Sequence, residues 1–269
     1  MDETSSASDS ANPLVLVERL GSVAWLRLNR PKAANALSRS LVAALRAELT
    51  ALASASALTA VVITGAGNGI FCAGADLKER LGMTLDETRV FLDELCALVQ
   101  AIEDFPRPIL AAISGAALGG GLEIALACDL RLADETANMG LSEVRLGIIP
   151  GAGGTQRLSR LCGIAVAKEL ILTGRRIDAN AALKLGLVSR VVAKPDLPAA
   201  VDALTAELAA AGPLALAAAK RAIDSGFGKP MREAMAVERA CYETVLVSQD
   251  RNEGLRAFAE KRPPRYQGK

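Results

Sequence analysis

Two glutamates stand twenty positions apart in stretches that are otherwise apolar and rich in glycine. Glu123 lies within Gly119-Gly120-Gly121-Leu122-Glu123-Ile124-Ala125-Leu126-Ala127, and Glu143 within Leu141-Ser142-Glu143-Val144-Arg145-Leu146-Gly147. Surrounding a carboxylate with aliphatic side chains is unfavourable unless it is paired, hydrogen-bonded or protonated. The chain has no histidine, which excludes a Ser-His-Asp triad, a Cys-His pair and every His-based metal site. Two carboxyl groups are then the candidates for a general acid and a general base. Glu123 falls in the first turn of a predicted helix, where the dipole favours the ionised form and so a base. Glu143 falls in an irregular stretch with no such feature. If both share a pocket, their repulsion keeps a proton on one of them, which makes Glu123 the base and Glu143 the acid. Taken singly, Glu123 reads equally as a glutamate satisfying a helix dipole, and Glu143 as a solvated loop residue.

Two turns of small residues would let a ligand approach the backbone. Gly119-Gly120-Gly121 stands directly before the helix that carries Glu123, and Ala73-Gly74-Ala75-Asp76 also follows a strand and precedes a helix. At such turns free N–H groups and the positive end of a helix dipole face outward. One N–H from each turn, brought together, makes an oxyanion hole for a carbonyl oxygen that gains negative charge in a transition state. Ordinary close-packed turns have the same composition and are common, so the turns alone favour that plainer reading. Cys72 has no neighbouring base or cation to form its thiolate and is not a nucleophile candidate.

The elements that must position these groups follow from periodicity and punctuation. Leu14–Leu20 and Val23–Asn29 read as a hairpin across Gly21-Ser22. Ser38 caps an alanine-rich amphipathic helix through about Ala53, and Val61–Thr64 is a short buried strand. Thr84-Leu85-Asp86-Glu87 has the capping-box form and opens a helix to about Glu103, which Pro106 and Pro108 stop. Ile109–Ser114 is a strand, Gly120–Cys128 a helix and Leu130–Ala133 a strand. Asp178 caps a short helix, Leu187–Val192 is a last strand, and from Pro198 onward the chain is helical, broken at Pro213, around Gly226–Pro230 and at Asp250. This alternation predicts an α/β fold with a largely parallel sheet. It divides the chain into a tail at 1–12, a core at 13–195 and a helical region at 196–269.

Composition narrows the functional classes. With 269 residues, 51% of them hydrophobic, the chain can bury a large core. A net charge of +1 gives no bulk field to draw nucleic acid or an anionic membrane. The five cysteines show no C-x-x-C spacing and read as small buried hydrophobes in a reducing compartment. No Asp/Glu cluster suggests a metal site. The tail, acidic and Ser-rich, fits neither a secretory signal nor a mitochondrial presequence and predicts disorder, so the expectation is a cytoplasmic protein. Ile109–Cys128 is long and nearly uncharged, but its glycines, Ser114 and Glu123 predict a buried strand-turn-helix in place of a membrane span.

Three stretches together carry a resemblance: Ile70-Phe71-Cys72-Ala73-Gly74-Ala75-Asp76-Leu77-Lys78, Gly115-Ala116-Ala117-Leu118-Gly119-Gly120-Gly121-Leu122-Glu123, and Ile149-Pro150-Gly151-Ala152-Gly153-Gly154-Thr155-Gln156-Arg157-Leu158. They are similar to the signature of the enoyl-CoA hydratase (crotonase) family, and the likeness runs from the first hairpin to Tyr266. It implies a crotonase-like spiral of ββα units with C-terminal helices that mediate homotrimers pairing into homohexamers. It implies an acyl-CoA thioester substrate, with coenzyme A as part of the substrate and no separate cofactor. The thioester oxygen would accept from the N–H groups of Ala75 and Gly120, while Glu123 and Glu143 flank a water that adds syn across C2–C3. The resemblance also places the CoA moiety along Ala33, Ala73, Ala75, Asp76 and Leu77, with Phe258 and Lys261 reaching its adenine end from a neighbouring subunit.

Within the family, keeping both glutamates favours hydration–dehydration over isomerase, decarboxylase or hydrolase chemistry. Phe71–Arg80 and Arg262-Pro263-Pro264-Arg265-Tyr266 look especially like methylglutaconyl-CoA hydratases of leucine degradation. That substrate weighs evenly with a general short-chain 2-enoyl-CoA of fatty acid metabolism. A glutaconyl chain carries an extra carboxylate that a cation or N–H cluster should meet, and the sequence does not say which. An RNA-binding role, known for one such hydratase through a lysine-rich first helix, is disfavoured: Leu41–Ala53 offers only Arg46, with Arg39 just before it. A non-catalytic scaffold does not suit two intact glutamates.

Overall fold

A computed structural model describes residues 12–55, 58–67 and 69–269, so the tail expected at 1–12 lies almost wholly outside the described residues. Strands β1 (Val15–Leu20) and β2 (Val23–Leu28) form the antiparallel hairpin across Gly21-Ser22. The Ser38 hydroxyl accepts from the Leu41 N–H and starts α1 (Arg39–Ala53), whose Leu41, Leu45, Leu49 and Leu52 form one buried stripe. After β3 (Ala60–Gly65), Asp76 caps a short α2 (Leu77–Leu81) that composition alone does not announce. The Thr84–Glu87 capping box opens α3 (Leu85–Glu103) as predicted. Then β4 (Ile109–Ile113), β5 (Ala116–Leu118) and α4 (Gly120–Ala127) divide the long apolar run. No single helix among the described residues is long and apolar enough to cross a membrane.

The chain continues through β6 (Leu130–Asp134) and β7 (Asn138–Gly140) to α5 (Gly154–Cys162) and α6 (Ile164–Thr173). These two helices have glycine N-caps without a side-chain acceptor, so no capping signal marks them. Next come β8 (Ile177–Asp178), α7 (Ala179–Lys184) and β9 (Arg190–Val192). The expected last strand is thus shorter than Leu187–Val192, because Leu187 and Val188 are buried in a turn in which Leu187 N–H donates to Ala182.

Six strands form one sheet in the order β1-β2-β3-β4-β6-β9, parallel apart from β1. A smaller sheet runs β5-β7-β8, and Cys72 bridges in parallel to Ala117 on β5. Two windings of the chain, β4-β5-α4 and β6-β7-α5, lay a strand in the large sheet, a strand in the small one and then a helix, while in the first winding β1 and β2 both lie in the large sheet ahead of α1. That is the spiral of ββα units. Alternate residues of the large sheet serve two cores. Ala24, Leu26, Val61 and Ile63 face α1 and α3, while Val23, Trp25, Val62 and Leu110 form a separate cluster with Leu197 and Val201.

Leu197 and Val201 belong to α8 (Leu197–Ala209), so the helical stretch expected from 196 onward is not uniform. Its first helix is a layer of the sheet packing. Beyond it, α9 (Pro213–Gly226) and α10 (Met231–Leu246) pack on each other, and Lys220 ties α9 to the core through Asp129 Oδ1 and the Glu103 carbonyl. The final helix α11 (Gln249–Ala259) is capped by Ser248, not broken at Asp250; the Asp250 carboxylate instead accepts from the Gln267 and Gly268 N–H groups. Phe227, Met231, Val247 and Phe258 in this region are all exposed.

Candidate active site

The elements converge on a cavity of about 1080 Å³ into which both glutamates open. At its centre β5 turns into α4 through Gly119, whose φ of 50° and ψ of −127° suit only glycine. A Cβ at Gly119 would stand 3.1 Å from Glu143 Oε1. Every residue of α4 is buried, Glu123 included. A carboxylate can persist there because Oε1 accepts from Ala152 N–H (2.8 Å) and Gly154 N–H (2.7 Å). Burial nonetheless pushes Glu123 above the ordinary carboxylate range, against the Gly154 and Ala152 N–H groups and the charge of Arg157.

Glu143 opens a 3-10 turn, Glu143–Leu146, and is half-buried, so the solvated-loop reading fails. Its Oε2 is buried without a hydrogen-bond partner. Burial pushes Glu143 up to about 7; its own backbone N–H opposes this, and the negative charge of Glu123 adds to it. The two carboxyl groups therefore feel each other, and the one with the lonely oxygen holds its proton more tightly.

The second small-residue turn is fastened to the first. Cys72 and Leu118 exchange backbone bonds with β5 and residue 72 (Cys72 N–H to Ala116, Leu118 N–H to Cys72), and Leu37 N–H donates to Gly74 while Asp76 N–H donates to Leu37. Gly74, at φ +98°, comes so near that a Cβ would lie 2.8 Å from the Leu118 carbonyl and 3.5 Å from the Gly120 nitrogen. Ala75 nitrogen lies 3.9 Å from where a Gly120 Cβ would be. The Gly120 N–H heads a helix, and neither it nor the Ala75 N–H has an acceptor among the described residues. Two free donors side by side can hold a carbonyl oxygen. Cys72 beside them is inert, since burial pushes its thiol up to about 12.

Of the residues the resemblance places against CoA, Ala73, Ala75 and Leu77 line the cavity. Ala33 sits in a 3-10 turn (Pro31–Ala33), next to Ala34, whose carbonyl accepts from the Ala73 N–H. Asp76 does not face the cavity. Its carboxylate is committed to the α2 cap and to Arg30, 3.0 Å away; burial raises its pKa, but Arg30 and the Lys78 and Glu79 N–H groups hold it below the ordinary value. Phe258 and Lys261 lie at the end of α11 and are not part of the cavity lining of the single chain. No group of His, Cys, Asp or Glu among the described residues could hold a metal ion.

Three supporting residues escape sequence reasoning. Buried Asn35, at φ +54°, accepts from Arg30 N–H and donates to the Ala66 and Ile70 carbonyls, so it joins the 30–36 and 66–72 loops. Arg30 also donates to the Ala36 carbonyl. Arg157 donates to the Ala152 carbonyl (2.9 Å) and to Glu103 Oε2 (2.5 Å), which fixes the loop whose N–H groups grip Glu123. The only available signal was an asparagine between alanines, a residue that tolerates the left-handed region.

Comparison with known proteins gives this site its setting. A family model described as enoyl-CoA hydratase/isomerase matches residues 18–269. The human mitochondrial methylglutaconyl-CoA hydratase is 44% identical over 258 residues, covering 94% of this chain and 76% of its own length. The human mitochondrial enoyl-CoA hydratase domain-containing protein 2 is 46% identical over 246 residues, covering 90% of this chain and 84% of its own. The crystal structure of an enoyl-CoA hydratase from Bacillus anthracis superposes with a TM-score of 0.94 at 44% identity, over 95% of this chain and all of that one.

Proposed function

We propose that this chain, which belongs to the enoyl-CoA hydratase/isomerase family, is a hydratase that adds water reversibly and syn across the C2–C3 double bond of a 2-enoyl-CoA thioester. The observation that carries this reading is the shared cavity of Glu123 and Glu143 beside the free N–H groups of Ala75 and Gly120. The thioester oxygen accepts from both N–H groups, which polarises the double bond and stabilises the negative charge that develops on oxygen. Glu123, ionised and gripped at Oε1, takes a proton from water through its other oxygen as the water oxygen bonds to C3. Glu143 gives its proton to C2. One carboxyl group gains a proton and the other loses one, so the pair is reset by a net proton transfer after each turnover. The chemistry as written needs no cofactor, since CoA arrives with the substrate.

An isomerase would shuttle one proton between two carbons and has no use for a second carboxyl group beside the water site; two converging glutamates support hydration. Methylglutaconyl-CoA stands as a second substrate reading, favoured by the 44% identity to hydratases of that name. The exposed apolar residues of α9–α11 suit a trimer or hexamer, in which Ala33 would border the CoA and Phe258 and Lys261 would reach its adenine end from a neighbouring copy. Specific RNA binding is not favoured, because α1 carries only Arg39 and Arg46 as cations.

Steady-state hydration of crotonyl-CoA by the wild type, Glu123→Gln and Glu143→Gln tests the reaction. Each substitution is expected to lower kcat by about 10²–10⁴-fold with thioester binding largely kept. A variant with wild-type kcat would remove that glutamate from the mechanism.

A further inference from the structure

The cavity contains a cation that the hydration step does not use. Arg80 lies in the last turn of α2, its N–H bonded to the Asp76 carbonyl one turn earlier, on the helix into which the Ala75 donor leads. Its guanidinium carbon sits 5.9 Å from the centroid of the buried Phe91 ring on α3. Thr88, Leu92, Leu95, Ile148 and Ile149 line the same cavity. Among the described residues the Arg80 side chain has neither a hydrogen bond nor an ion pair.

The acids nearest it in the chain are engaged elsewhere. Asp76 binds Arg30, Glu79 accepts from the Arg39 N–H, Asp86 binds Arg89, and Glu87 closes the Thr84 capping box. Glu123 and Glu143 form no ion pair with Arg80 within 4.0 Å, although all three open on one cavity. The remaining arginines at the cavity differ. Arg145 donates twice to the Thr173 carbonyl, Arg175 pairs with Glu169, and Arg176 is exposed to water. A half-buried guanidinium over an aromatic ring, in a cavity that aliphatic side chains also line, with no protein anion paired to it, is a site for an anion brought by the ligand. Its planar fork matches a carboxylate, and the partial exclusion of water strengthens the pair.

We infer that Arg80 reads the far end of the acyl chain, so that the preferred thioester carries a carboxylate there, as in a glutaconyl-type chain. This rests on the thioester reading of the cavity proposed above. A neutral chain of similar length would leave the guanidinium desolvated and unpaired, which selects against it. Arg80 is thus a specificity-determining residue on the wall of the acyl pocket, separate from the pair that moves protons.

Two measurements separate this inference from the hydratase reading. The first is kcat/KM for glutaconyl-CoA and crotonyl-CoA in the wild type, Arg80→Met, Arg80→Lys and Arg176→Met. The ratio of the two is expected to fall by roughly 10- to 100-fold in Arg80→Met, by less in Arg80→Lys, and to hold in Arg176→Met. The second is equilibrium binding of the saturated glutaryl-CoA and butyryl-CoA, which cannot be hydrated and so report on Arg80 even if neither enoyl thioester turns over. Tighter binding of glutaryl-CoA, lost in Arg80→Met, upholds the inference whatever the catalytic result. An unchanged glutaryl/butyryl preference in Arg80→Met, or a loss that follows Arg176 instead, overturns it.

Discussion

Glu123 and Glu143 are both pushed upward by burial, but against different restraints. Glu123 is held back by two N–H donors and the charge of Arg157, whereas Glu143 has a buried oxygen with no partner and rises to about 7. A base must be ionised and an acid protonated. The activity should therefore fall as pH drops and Glu123 gains a proton, and fall again as pH rises through about 7 and Glu143 loses one. Because the groups interact, the two limbs belong to the pair. A profile of kcat/KM for crotonyl-CoA checks this: an alkaline limb near neutrality is expected, and a flat profile well above it would assign the acid role elsewhere. At this scale the sequence shows the carboxyl groups, since their type and apolar setting are written in it. The grip on Glu123 is not visible, because the donors are main-chain N–H groups of Ala152 and Gly154 that any residue could supply.

The proposed oxyanion donors, the N–H groups of Ala75 and Gly120, depend on how closely two turns approach. Gly74 leaves room for the Leu118 carbonyl and the Gly120 nitrogen, and its φ of +98° is one that other residues rarely adopt. Gly74→Ala should spread the Ala75 and Gly120 N–H groups and lower kcat by about 10²–10³-fold, as for the loss of one oxyanion donor. A variant with normal kcat and a well-formed cavity would show that this approach does not matter to the reaction. Capped and amphipathic elements such as α1 and α3 were legible because a serine or threonine and a buried stripe mark them. The small sheet was not: β5, β7 and β8 have two or three residues each, too few for any period to show. Helices α5 and α6 begin at glycines with no side-chain cap, and α2 is a single short turn behind Asp76.

Across the whole molecule, the sheet is sealed on its second face by α8. Leu197 is buried against Trp25, Val62 and Leu110 there, away from the cavity. Leu197→Ala should destabilise the fold by about 2–4 kcal/mol in urea unfolding while kcat changes little. A kcat loss comparable to that of the glutamate variants would mean that the two faces of the sheet are coupled. The spiral class was legible through the ordered signature stretches. The place of α8 was not, because an amphipathic helix discloses that it covers something without disclosing what.

The helices that follow the Ala75 and Gly120 N–H groups differ in how firmly they are seated. All of α4 is buried, whereas α2 buries no residue and leaves Leu77 and Leu81 in solvent. In deuterated water the amides of residues 124–127 should then exchange only when the whole protein opens, and those of residues 80–82 far sooner by local fraying. A bound thioester would slow exchange in both groups, in the first by making global opening rarer and in the second by also damping the local fraying, and ordering that loosely held helix costs part of the binding free energy.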